Sequence, residues 1–417
     1  MLNRLKPKSE FSRNVLTLMT GTTIAQAIPI AISPILTRIY TPEDFGVFAL
    51  YMSVASILSV IATARYEVAI MLPEKDDDAL NIMILSIAIA CLISLSTLIV
   101  IILFNKQITT LLGNVAISNW LYLVPISILF TGLYQTFNYW ENRQKKYKNL
   151  ALSRVYQSST TSAANLTIAP IINGSSGLIL GNIFGSIVAT LYLIKKSALL
   201  DKNFFQVIHI NKILSVAHRY IKFPKFDLLA SLLNVSAQQV VNILFNSIYS
   251  SIFAGYYYLT QKMLGLPVSM IAASVLDVFK EKASKDFQRL GNAKSIYVTT
   301  FFKLLALSLV PSIVIYVYAI DIFTFVFGEQ WSESGVYARL LVPMLFLRFI
   351  SSPLSFMLFI GDRQELNLFG NFLFLIGTLF SFYVASTPYD VIVNLSFAYS
   401  FVYLMYLWFS AKIAKVF

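Results

Sequence analysis

The sequence predicts an all-α integral membrane protein with about twelve transmembrane helices. Of its 417 residues, 57% are hydrophobic and only 12% charged, too little polar sequence to coat a soluble protein of this size. Apolar stretches recur at the ~20-residue length that carries a helix across ~30 Å of hydrocarbon. Within them the period is helical, and the short alternating segments of a membrane barrel do not occur.

Taken in order, the first six spans are Asn14–Thr37, Phe45–Met71, Ala79–Phe104, Asn119–Trp140, Leu150–Ile172 and Leu178–Ile194. The second six are Phe226–Tyr249, Phe253–Phe279, Ile296–Ala319, Val336–Phe359, Leu366–Ala385 and Val391–Lys412. Some carry polar residues at helical spacing. Thr22, Gln26, Ser33 and Thr37 lie on or near one side of the first span, interrupted by Pro29 and Pro34. Ser158, Ser162 and Asn165 mark the fifth; Asn234, Gln238 and Asn242 follow one face of the seventh at i, i+4, i+8. Such stripes either line a wet cavity or join helices to one another.

Net charge is +12, which could point to nucleic acid, but its distribution encodes orientation instead. With the N-terminus inside, most Lys and Arg fall in cytoplasmic connections, while Arg38 and Lys106 lie outside. That asymmetry is the positive-inside pattern, and an even number of spans puts both termini in the cytoplasm. No cleavage site follows a short apolar core, so the first span reads as retained. The single cysteine, Cys91, allows no internal disulfide. His209 and His218 read as interfacial side chains rather than metal ligands. No catalytic constellation appears, so the chain is not expected to be an enzyme.

The organisation expected is a six-helix lobe over 1–200, a cytoplasmic linker over 201–225 and a second six-helix lobe over 226–417. The linker mixes Phe204, Phe205, Val207, Ile208, Ile213 and Leu214 with Lys202, Lys212 and Arg219; it suits an amphipathic surface helix or a solvated loop. Ile39-Tyr40-Thr41, then Gly46 and Leu50, is echoed about half a chain later by Ile248-Tyr249-Ser250, then Gly255 and Leu259. Six spans per lobe preserve orientation. The lobes would then be parallel repeats about a pseudo-two-fold axis along the membrane normal, two bundles around a central cavity.

Lys262 lies about ten residues into its span, ~15 Å deep, and Arg348 is similarly deep in the tenth. Each costs at least ~2.5–3.5 kcal/mol in hydrocarbon unless it faces a lumen or a partner. No carboxylate reads as equally deep, so the missing anion points to a substrate. Hydrogen bonds to carbonyls loosened near Pro267 and Pro343 are the alternative. Arg38 and Arg65, nearer span ends, read either as snorkelling residues or as guards at the cavity mouths. The candidate substrate-binding set is therefore Lys262, Arg348, Arg38, Arg65, Gln26, Asn234, Gln238 and Asn242.

Arg38-Ile-Tyr-Thr-Pro-Glu-Asp-Phe-Gly46 resembles the first-loop motif of bacterial polysaccharide-unit flippases (O-antigen type), members of the multidrug/oligosaccharidyl-lipid/polysaccharide exporter superfamily. Arg65-Tyr-Glu-Val-Ala-Ile-Met-Leu-Pro73 and Ala254-Gly-Tyr-Tyr-Tyr-Leu-Thr-Gln-Lys-Met-Leu-Gly-Leu-Pro267 are similar to their second and eighth helices. The resemblance implies a cationic central cavity and alternating access. Its substrate would be an oligosaccharide linked through pyrophosphate to a polyprenol, moved from inner to outer leaflet of the bacterial plasma membrane for O-antigen, lipopolysaccharide or other surface glycan. The implied partners are that lipid-linked oligosaccharide, membrane lipids and polysaccharide assembly proteins, with no nucleic acid. No bound cofactor is implied, only a coupling ion, proton or sodium. Relatives commonly carry Arg where Lys262 stands, so the bidentate fork is lost here while the charge is kept.

Two other functions fit parts of the pattern. A cation-coupled drug exporter of the same fold should hold a midplane carboxylate, and none is evident. A membrane glycan polymerase or glycosyltransferase should carry a long acidic external loop. The candidate loop Ile320–Gly335, with Asp321, Glu329 and Glu333, is short.

Overall fold

The computed structural model describes residues 10–197 and 208–417. Its long elements are all helical, and none of the described residues forms a strand. The first six long helices are α1 (Glu10–Ile39), α2 (Pro42–Val60), α3 (Asp76–Leu111), α4 (Val124–Arg143), α5 (Tyr147–Ile168) and α6 (Ser176–Lys196). They are followed by α7 (Leu228–Leu244), α8 (Ser251–Leu290), α9 (Lys294–Phe327), α10 (Ser332–Leu354), α11 (Gln364–Val384) and α12 (Pro388–Ile413). Among the described residues, ten helices are long and apolar enough to cross a membrane; α4, counted as one span with the short helical stretch Val115–Leu121 from which it is bent by 52°, makes an eleventh. The remaining helix, α5, is long enough at 22 residues, ~33 Å, but more polar than the rest. It occupies the place of the fifth predicted span.

Boundaries shift for identifiable reasons. Hydropathy carries the second span to Met71, but α2 stops at Val60, and the backbone then turns through left-handed Ala64 (φ 49°) and Arg65 (φ 65°). The apolar residues beyond this turn form a short helix, Tyr66–Ala69, not more of α2. At Phe104, where the third span was expected to end, α3 kinks (φ −120°, ψ 17°) and continues to Leu111. The eighth helix runs past Phe279 to Leu290, where Gly291 in the left-handed region (φ 67°) ends it. Expanded turns, Phe223–Asp227 and Phe245–Tyr249, flank α7 at both ends.

The chain forms two compact units, residues 1–239 and 240–417. The division falls inside α7, whereas the sequence reading placed it in the 201–225 connection. In the first unit, Tyr66, Ile70, Met83, Phe137, Trp140 and Leu193 form a buried cluster. The linker contributes a strongly amphipathic helix, Ile210–Arg219, whose Val216 joins that cluster while Ile210 and Leu214 stay exposed. The linker residues Lys202, Phe204, Phe205 and Val207 lie outside the described residues. In the second unit, Phe245 packs edge-on against Phe382 at 4.9 Å, within a core shared with Tyr257, Tyr337 and Leu341. A second core gathers Phe279, Tyr297, Phe349 and Met357.

Close helix contact in the first unit depends on a glycine ridge. Gly177, Gly181 and Gly185 recur every fourth residue along α6, and a Cβ at each would collide with Tyr40, Asn165 and Thr161 respectively. Small residues at this spacing let helix backbones approach within membranes.

Candidate functional site

The first-loop motif is largely a capping device. Thr41 caps α2: its side chain accepts from the Asp44 N–H at 3.2 Å, and Asp44 Oδ2 accepts from the Thr41 N–H at 2.9 Å. Pro42 occupies the first turn, where a missing N–H costs nothing. The Tyr40 hydroxyl donates to the Asn165 carbonyl of α5 at 2.6 Å, fastening the loop to the lobe. Thr387, Pro388 and Asp390 repeat the capping box at α12. Arg38 is exposed and donates to the Pro34 carbonyl at 2.6 Å. The guanidinium thus reaches back one turn along its own helix.

Arg65 anchors a charged cluster in the same unit. Its Nε donates to Asp227 Oδ2 at 2.7 Å, and Nη1 to Glu67 Oε1 at 3.2 Å. Thr63 donates to the other Glu67 oxygen. The Glu67 side chain is 1% exposed, against 24% for Arg65 and 42% for Asp227. Burial raises the Glu67 carboxyl above the usual carboxylate range, against the opposing pull of Thr63 and Arg65. The left-handed turn at Ala64–Arg65 aims the guanidinium at both acids. Asp227 follows Arg65 by 162 positions, so no local pattern announces the pairing.

A polar seam joins α1 to α5. Arg154 donates to the Thr22 hydroxyl at 2.5 Å, and the Ser158 hydroxyl donates to the Ala25 carbonyl at 2.6 Å. Arg154 is a charge at membrane depth that the sequence reading overlooked; seven residues into α5, it lies ~10 Å from that helix's start. Gln26 lies one turn beyond Thr22, and its buried Oε1 accepts no hydrogen bond among the described residues. A buried amide oxygen left unpaired is costly, so this one is suited to accept from a ligand hydroxyl.

The deep cations of the second unit stand differently. Lys262, ~16 Å along α8, holds its ammonium 5.9 Å from the Tyr258 ring centre. Arg348 in α10 lies within electrostatic reach of the hydroxyls of Tyr257, Tyr399 and Tyr403. Among the described residues, neither cation pairs with a carboxylate or donates to a backbone carbonyl. The carbonyls near Pro267 and Pro343 therefore do not take these charges. Ser351 of α10 and Ser396 and Ser400 of α12, helices that pack together, keep buried hydroxyls without partners. Those three serines, with Tyr399 and Tyr403, are not distinguished in the sequence, being ordinary polar residues in apolar helices.

On α7, Gln238 donates to Asn234 Oδ1 at 2.7 Å, and both side chains are exposed. Asn242 is 9% exposed with an unpartnered Oδ1. The predicted residues thus separate into an ion-paired Arg65, a locally bonded Arg38, two amides with free oxygens (Gln26 and Asn242), an exposed amide pair, and two cations lacking counter-ions.

A family profile described as "Polysaccharide biosynthesis protein" matches residues 35–336, more than half of the chain. The chain belongs to this polysaccharide biosynthesis family. No curated protein matches it. Among solved structures, it is similar to an inward-facing multidrug-resistance MATE transporter of the MOP superfamily. There the TM-score is 0.72 and identity 14%, covering 95% of each chain. It is also similar to the lipid II flippase MurJ in an inward closed conformation, with TM-score 0.68 and 15% identity over 95% of this chain and 87% of that one. A MOP superfamily transporter from Pyrococcus furiosus aligns at TM-score 0.63 and 12% identity, covering 97% and 96%. At such identities the likeness establishes the fold. This member of the polysaccharide biosynthesis family is a multi-pass membrane protein with the MOP transporter fold.

Proposed function

We propose that this chain is a flippase for polyprenyl-pyrophosphate-linked oligosaccharide, moving the unit from inner to outer leaflet of the bacterial plasma membrane by alternating access. The observation that carries the reading is the pair Lys262 and Arg348, basic groups at span depth that pair with no carboxylate among the described residues. Their charge suits a pyrophosphate, and their neighbours suit a sugar: Tyr257, Tyr258, Tyr399 and Tyr403 offer aromatic faces and hydroxyls. Lys262 acts as a movable point charge, while Arg348 offers a planar fork. Asn242, in the same unit and with a free amide oxygen, accepts from glycan hydroxyls. Arg65, already neutralised by Glu67 and Asp227, holds its connection in shape and is not a phosphate ligand. The family's role in polysaccharide biosynthesis supports this substrate class. A drug-cation exporter would instead need a carboxylate beside these helices.

The test is the double variant Lys262→Ala/Arg348→Ala in cells that make the surface glycan. Each charged contact is worth ~1.5–3 kcal/mol, so transport should fall by well over tenfold. The lipid-linked unit should accumulate in the inner leaflet. Normal surface glycan at normal protein level overturns the reading.

A further inference from the structure

A groove between α8 and α9 is built for a phosphate with an apolar chain attached. It encloses about 430 Å³. Ser274, Val278 and Lys282 contribute to it at i, i+4 and i+8 of α8, and Thr299, Thr300, Lys303 and Leu307 from α9. The helices are joined by the turn at Gly291. Lys282 stands eight residues before Leu290 and Lys303 nine residues after Lys294, so both are ~12–14 Å from that turn. The two ammonium groups come from matching heights on the two walls.

The charges in this stretch are not equivalent. Lys280 is bonded to Asp277 at 2.6 Å and Lys285 to Glu281 at 2.6 Å. Lys282 and Lys303 have no carboxylate and no hydrogen bond among the described residues. The remaining wall is apolar, formed by Ile271, Val275 and Leu304 with Leu307, and the outer residues are open, with Val278 57% and Leu307 52% exposed. Lysines without a close ion pair (Glu281, paired with Lys285, acts on Lys282 only through space) above an open hydrocarbon wall match one membrane component, an anionic phospholipid. Its phosphate meets the two ammonium groups and the nearby hydroxyls, and its acyl chain lies along the wall.

We propose that this groove is a binding site for an anionic phosphoglycerolipid of the bilayer, distinct from the oligosaccharide substrate. The groove's one aromatic lining residue, Phe279, is buried in the core with Tyr297 and Phe349, and its lining holds no amide side chain for a glycan; its size suits a headgroup with part of a chain. The inference depends on the chain being embedded in a membrane and not on what it transports.

The full-length protein in phosphatidylcholine nanodiscs doped with phosphatidylglycerol provides the test, read by native mass spectrometry. Wild type should retain phosphatidylglycerol about thirtyfold more tightly than Lys282→Ala/Lys303→Ala, from two lysines near the surface. The control pair Lys280→Ala/Lys285→Ala should retain it as wild type does. Photo-crosslinking phosphatidylglycerol to the unaltered protein, with peptide mapping, gives a second readout that needs no variant; the label should fall within 271–307. Equal retention by the Lys282/Lys303 variant, or crosslinks only elsewhere, overturns the proposal. So does displacement of the lipid by inorganic phosphate, which would make this a bare anion site, or by polyprenyl phosphate, which would make it part of the substrate path.

Discussion

Replacing Arg65 by alanine removes the cation shared by Glu67 and Asp227. At about 4 Å between charge centres and an effective dielectric near 20, each pairing has a gross worth of ~4 kcal/mol. The Asp227 arm is discounted, because that carboxylate is 42% exposed, to under ~1 kcal/mol. The Glu67 arm is not, because its side chain is 1% exposed and would be stranded. Breaking a buried pair costs about 3–5 kcal/mol, reduced here because Thr63 still donates to Glu67 and the carboxyl can take up a proton. The expected loss is ~3 kcal/mol, or an apparent Tm lower by ~6–12 °C in detergent for a unit of 239 residues. The pH dependence has a definite sign. Burial already raises the Glu67 carboxyl, and losing Arg65 raises it further. A folded-state value above the unfolded one means stability is full below the unfolded value and is lost as pH rises through the folded one. The deficit of Arg65→Ala should therefore shrink on acidification and widen toward neutral pH and above. Adding Glu67→Gln to Arg65→Ala should recover much of the loss and flatten its pH dependence. A double variant as unstable as the single one, with the same deficit at every pH, refutes the stranded-carboxylate argument.

Two further outcomes follow from packing and capping. Gly185→Ala should destabilise by about 1–3 kcal/mol although alanine is the better helix former, since its methyl meets the Gln157 carbonyl and Thr161; thermal unfolding checks this. Thr41→Ala and Thr387→Ala should each cost ~1 kcal/mol through the loss of equivalent capping boxes, and the two losses should add when the variants are combined.

The spans were legible because hydropathy follows the bilayer, and Lys262 and Arg348 because charge at depth is conspicuous. The end of α2 was not. Val68, Ala69, Ile70 and Met71 continue the apolar run, while the turn is set by two left-handed residues that no composition rule marks. Arg65 reads in the sequence as a snorkelling residue or a guard at a cavity mouth because its strongest partner, Asp227, is distant in sequence. The burial of Glu67 was not legible either, because position along a span does not report lateral packing. Arg154 was passed over for the reason that α5 is already polar, so one more charge raised no contrast. The two free-oxygen amides, Gln26 and Asn242, were readable as polar residues, but their lack of partners became visible only after the neighbouring helices were placed.

The polarity of α5 bears on how the chain is made. Arg154, Gln157, Ser158 and Asn165 are satisfied by groups on α1 and α6 or by the loop at Tyr40, which the ribosome delivers before and after this segment. Released singly into lipid, the nascent segment would have to leave those groups bare. Its stable place in the bilayer therefore depends on α1 on one side and on the glycine ridge of α6 on the other.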